Sequence, residues 1–205
     1  MTRPPEMSSF ESGRRRGRPI ARNRDHILET AIKAYWHEDH AVTSVNAICA
    51  LAGVSKPSLY REFGNEDGLT AAALERYVQD LLGPIEVLLA GQADFVAKLE
   101  AMLCFAGEDP RLESGCLFVK MRSARSRFGP QTQSRLTAVE ARILKGYTQF
   151  FAEAEASGEW DGDLAPELAA RYLHEQLGLA LSQRASGTSA ESVRALLTLA
   201  ISALR

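Results

Sequence analysis

Residues 43–63, TSVNAICALAGVSKPSLYREF, leave this chain little choice of local structure. Val45, Ile48, Cys49 and Ala52 recur at helical spacing and give a short helix one apolar face. Thr43 or Ser44 can cap that helix by accepting a hydrogen bond from an orphan backbone N–H. Gly53 supplies a tight turn. Ser55 can cap a second helix, and Pro57 falls in its first turn, where a missing N–H costs nothing. The outward residues of that second helix are Lys56, Ser58, Tyr60 and Arg61, all able to meet a phosphate or a base edge. Two short helices joined in this way form a helix-turn-helix, whose second helix is shaped for the major groove.

Helical patterns flank the motif. Ile27, Leu28, Ala31, Ile32, Tyr35 and Trp36 form one stripe, predicting a helix over 23–36 that completes a three-helix unit. After Phe63, Asn65 can cap a further helix, and Glu66 and Asp67 suit its positive end. That helix is expected to break or bend at Gly83-Pro84. Beyond it, apolar stripes predict helices over 85–89, 95–105, 116–128, 131–156, 166–185 and 190–204. No strand pattern or internal repeat is visible, so the reading is all-α.

The run 31–69, AIKAYWHEDHAVTSVNAICALAGVSKPSLYREFGNEDGL, resembles the N-terminal domain of the TetR-type transcriptional regulators. Ala31, Thr43, Ile48, Ala52-Gly53-Val54-Ser55, Leu59-Tyr60, Phe63 and Leu69 carry the likeness, which covers about the first third of the chain. It implies a three-helix helix-turn-helix DNA-binding domain followed by a larger helical ligand-binding and dimerisation domain. The expected divisions are a basic arm at 1–21, the DNA-binding domain at 22–66 and the regulatory domain at 67–205. The helix after Phe63 is implied to carry the ligand signal. Two departures stand out. Asp39 occupies the position where a glycine commonly ends the first helix. Glu66 replaces a frequent lysine, and a carboxylate cannot hold a phosphate.

The charge distribution agrees with this division. Residues 1–65 hold 10 Lys+Arg against 7 Asp+Glu, and residues 66–205 hold 14 against 19. A basic front suits contact with double-stranded DNA. Within the polar arm, predicted to remain unfolded, Arg14, Arg15, Arg16 and Arg18 can enter a narrow minor groove; a solubilising tail is the alternative. The expected DNA-binding set is those four arginines with Thr43, Ser44, Ser55, Lys56, Pro57, Ser58, Tyr60 and Arg61.

Leu173, Leu177 and Leu181, with Val193, Leu196, Leu197, Leu199, Ala200, Ile201 and Leu204, give the last two helices wide apolar faces. The resemblance implies a homodimer through these helices; closure of the monomer's own core is the alternative. A small-molecule effector is implied as well. Its candidate contacts are Met102, Phe105, Phe118, Met121, Tyr147, Phe150 and His174, residue types that line cavities and cores alike.

Cys116, in SGCLF, lies where the chain enters a helix, a place that favours thiolate. The Gly-Cys-Leu run is similar to one in members of the family that respond to oxidants or electrophiles, so Cys116 is a redox-sensing candidate. A small buried apolar residue is the other reading. Cys49 and Cys104 read as core positions.

Other chemistries find little support. His37-Glu38-Asp39-His40 lacks the helical spacing of a metal pair and reads as a solvated helix end. No nucleophile elbow or phosphate-cradling glycine loop is present, so no catalytic residue, metal or cofactor is expected. No apolar run approaches the roughly 20 residues of a membrane span. Three cysteines give no disulfide framework, and a cytoplasmic location is the simplest. The resulting expectation is a ligand-responsive repressor that binds a palindromic operator as a dimer. An activator, a non-specific DNA-binding protein and an enzyme on a helical scaffold are the alternatives.

Overall fold

The computed structural model describes residues 20–37 and 43–204, and every regular element among them is helical. The arm with Arg14, Arg15, Arg16 and Arg18 lies outside the described residues, as do Glu38, Asp39 and His40 and the side chain of His37.

The first three helices are α1 (Ile20–His37), α2 (Val45–Ala52) and α3 (Lys56–Phe63). Ser44, rather than Thr43, caps α2, accepting from Ala47 N at 3.2 Å. Gly53 ends α2 at φ 65°, a left-handed conformation that side chains resist. Ser55 caps α3 through Ser58 N at 3.3 Å, with Pro57 in the first turn. All four apolar residues of the α2 face are buried, together with Leu59 and Phe63 of α3.

Helix α4 (Glu66–Ala90) is capped by Asn65, whose Oδ1 accepts from Gly68 N at 2.8 Å. The expected break at Gly83-Pro84 is absent: Pro84 lies inside the helix, which continues to Ala90. Proline removes one helical hydrogen bond there, but Leu82 is buried and Leu81 and Ile85 pack against the core on either side. Tertiary packing therefore holds the backbone helical through the defect.

The body continues with α5 (Phe95–Glu108), α6 (Leu117–Ser123), α7 (Pro130–Ser157), α8 (Pro166–Ala185) and α9 (Ala190–Ile201). Helix α6 is shorter than its apolar pattern. The backbone leaves helical geometry at Ala124, and a 3-10 turn over Arg125–Arg127 precedes Gly129-Pro130.

One buried cluster runs from Ile27 of α1 through α2, α3 and α4 to Phe118 of α6 and Val139 of α7, so the helix-turn-helix shares its core with the body. A second cluster joins α5, α7, α8 and α9 around Phe151. It absorbs Leu173, Leu177, Val193, Leu197, Ile201 and Leu204, so most of the wide apolar face of α8 and α9 closes the monomer itself. Left outward are Leu179 (54% exposed), Leu196 (48%) and Leu199 (71%), which border a shallow groove between the two helices.

Candidate nucleic-acid interface and regulatory cavity

Helix α3 carries the side chains expected to meet DNA. Lys56, Pro57 and Arg61 are exposed, and Ser58 and Tyr60 are half-buried. The Lys56 ammonium lies 5.4 Å from the centre of the Tyr60 ring, a cation–π distance. Arg61 donates to Ser58 Oγ at 3.3 Å. Ser44 is exposed at the start of α2, whereas Thr43 is buried, 4% exposed, and its side chain lies off the outer face.

Behind this unit, two sets of bonds hold α1 and the start of α4 against later helices. Trp36, in the last turn of α1, donates its indole N–H to Gly115 O at 2.9 Å. Lys120 of α6 donates to Trp36 O at 2.8 Å. Gly115 makes the approach possible: it sits at φ 81°, and a Cβ there would lie 2.7 Å from Ala185 Cβ. The Trp36 ring meets Tyr77 of α4 edge-on at 5.0 Å. At the other end, Asp67 of α4 caps α7, accepting from Gln131 N at 2.8 Å and from Thr132 Oγ1 at 2.6 Å. The sequence marks Asp67 only as a helix-dipole residue, and no local pattern marks the Trp36–Gly115 bond, which spans 79 residues.

A cavity of about 200 Å³ opens among α4, α5, α6, α7 and α8. Met102, Phe105, Phe118, Tyr147 and His174 line it, as do Cys116 and Leu82, Pro84 and Ile85 of α4. Met121 and Phe150 do not border it. Met121 packs in the cluster shared with the helix-turn-helix, and Phe150 stacks on Phe95 at 4.9 Å.

Cys116 occupies the cap position of α6 and is buried. The Tyr77 hydroxyl donates to its Sγ at 3.4 Å and accepts from Leu117 N at 3.3 Å. Burial pushes the Cys116 thiol above its usual range, outweighing the hydrogen bonds and the Lys120 charge that favour thiolate. The thiolate character expected from a helix start is thus overturned by desolvation. Cys49 is buried as expected, but Cys104 is only half-buried.

His174 is part of a cluster that the sequence does not reveal. Arg122 of α6 reaches His174 Nε2 at 2.8 Å, Glu140 of α7 at 3.2 Å and Glu175 of α8 at 2.9 Å. A guanidinium only donates, so Nε2 accepts and the neutral ring carries its hydrogen on Nδ1. Burial first, then the Arg122 charge, holds the imidazole below its usual range and therefore neutral. Glu140, His174 and Glu175 converge closely enough to suit a cation, but the Arg122 guanidinium already bonds all three. No helix among the described residues is long and apolar enough to cross a membrane.

The model of the family described as "Bacterial regulatory proteins, tetR family" matches residues 27–73, which span the three-helix unit and the start of α4. The chain is 28% identical over 191 residues to the HTH-type transcriptional repressor ComR of Escherichia coli K12, covering 87% of each chain. It is 22% identical over 182 residues to the HTH-type transcriptional repressor KstR2 of Rhodococcus jostii RHA1, covering 88% of this chain and 85% of that one. The fold superposes on the reduced form of Escherichia coli NemR with a TM-score of 0.77 at 19% identity, over 89% of this chain and 97% of that one. Residues 27–73 thus carry the helix-turn-helix domain of the tetR family of bacterial regulatory proteins, joined to an all-helical body in a chain similar over most of its length to HTH-type transcriptional repressors.

Proposed function

We propose that the protein is a dimeric repressor that grips a palindromic operator and lets go when a small molecule enters its cavity. The observation that carries this reading is the seating of α6. Its residues Phe118 and Val119 line the cavity, while Lys120 and the preceding Gly115 hold the last turn of α1. Helix α4 runs from the helix-turn-helix to the same cavity wall. A ligand that displaces either helix therefore acts on the reading unit through direct bonds. The shift it can cause is bounded by its differential affinity for the two conformers.

Lys56, Ser58, Tyr60 and Arg61 contact bases and phosphates in the major groove. Ser44 and Ser55 anchor helix starts on the backbone, and the arginines of the arm reach the adjacent minor groove. Leu179, Leu196 and Leu199 meet their counterparts in a second copy. Two-fold symmetry then spaces two α3 helices by about 34–36 Å, one turn of DNA. Residues 67–205 serve as the regulatory domain, acting in the cytoplasm where the operator lies. A thiol-reactive effector is the second reading, favoured by the presence of Cys116 on the cavity wall and opposed by its raised thiol. Repressor names among the relatives support repression over activation. The test is selection of bound DNA from a random duplex pool, followed by release from the selected site with uncharged small molecules.

A further inference from the structure

Tyr147 projects from the middle of α7 and is 6% exposed. Its hydroxyl makes no hydrogen bond among the described residues, unlike those of Tyr35, Tyr77 and Tyr172. No fully enclosed side-chain oxygen or nitrogen among the described residues lacks a partner, so the Tyr147 hydroxyl must border open space. That space includes the cavity, which Tyr147 lines together with Cys116; Tyr147 also borders a narrow crevice beside Glu86 and Arg142. Burial pushes that phenol above its usual range, so it stays protonated and can donate. A ligand oxygen placed beside it would accept that hydrogen bond.

The other walls define what accompanies that oxygen. Among the described residues no Lys, Arg, Asp or Glu lines the cavity, and His174 is held neutral. A carboxylate, phosphate or ammonium would enter without a counter-charge, which desolvation makes prohibitive. The Arg122 guanidinium, which reaches the lining residue His174, is already bonded to Glu140 and Glu175. As to size, an apolar cavity of about 150 Å³ admits benzene. A volume of about 200 Å³ leaves room for one ring and a short substituent.

We infer that the effector is an uncharged, mostly apolar molecule about one substituted ring in size, whose single hydrogen-bond acceptor is bound by the Tyr147 hydroxyl. The inference rests on the reading of this cavity as the effector site. Calorimetric titration of the full-length protein with toluene, acetophenone and benzoate tests it, using wild type and Tyr147→Phe. Wild type should bind acetophenone most tightly and benzoate least. Tyr147→Phe should bind acetophenone about tenfold more weakly and toluene unchanged. Without ligand, the variant should melt at the same temperature or higher, because the lost hydroxyl bonds nothing in the protein.

Equal acetophenone affinity in the two proteins, a preference for benzoate, a lowered melting temperature, or no binding by any probe would each overturn the inference. Acetophenone binding with the expected pattern, but with the operator complex left intact, would uphold the ligand class. It would instead count against the cavity as the control site.

Discussion

At the level of single residues, the same side-chain chemistry takes opposite roles according to what surrounds it. Cys116 stands at a helix start, which alone would favour thiolate, yet burial keeps it a thiol. His174, named from its residue type as a candidate effector contact, lies in a leucine-rich helix. Its environment makes it the neutral acceptor of a guanidinium that also holds Glu140 and Glu175. This has a consequence for stability. His174 is lowered in the folded protein, whereas in the unfolded chain it protonates near its usual value of about 6.5. On acidification through that value the unfolded state takes up the proton first, so stability present above about pH 6.5 is lost as pH falls below it. Glu175, also lowered, contributes in the same direction further down the acid range. Thermal melts between pH 7 and 5 should therefore fall more steeply for wild type than for His174→Gln, whose amide oxygen keeps an acceptor for Arg122. Parallel curves would contradict this account of the cluster.

Single elements differ in how openly the sequence declares them. The bounds and caps of α2 and α3 are legible because their signals are local: Ser44, Gly53, Ser55 and Pro57 act on backbone groups within four residues. Helix α4 is misread at Pro84 because the force that keeps it helical is tertiary. Leu82 and Ile85 pack against residues distant in sequence. The cavity is half legible for a similar reason. Met102, Phe105, Phe118, Tyr147 and His174 are found by residue type, but type does not separate a wall from a core, so Met121 and Phe150 are drawn in wrongly as liners. The Arg122 cluster and the Trp36–Gly115 bond are invisible in sequence because they join elements 18 to 79 residues apart. For α3, the exposed Lys56 and the ring beneath it give distinct expectations. Lys56→Ala should lower the slope of log affinity against log salt by about 1. Tyr60→Ala should weaken binding to every sequence tested. Unchanged binding by Tyr60→Ala would remove α3 from the interface.

For the whole molecule, one continuous core ties reading unit to body. Bonds at Trp36 hold α1 to Gly115 and to Lys120 of α6, and Asp67 holds the start of α4 to α7. A rigid half of a two-fold assembly is then useful only if its partner is held at a fixed distance. In the proposed dimer, the leucines left outward on α8 and α9 provide the means. Replacing Leu196 and Leu199 together by Glu should leave the helical content intact, convert the protein to a monomer in sedimentation velocity, and abolish tight operator binding. A variant that remained dimeric would move the interface elsewhere. Whether this molecule reads a two-fold DNA site through α3 is decided by selection of bound duplexes from a random pool. The account predicts enrichment of a palindrome whose half-sites are spaced for major grooves about 34–36 Å apart. Recovery of DNA without any enriched inverted repeat would contradict it.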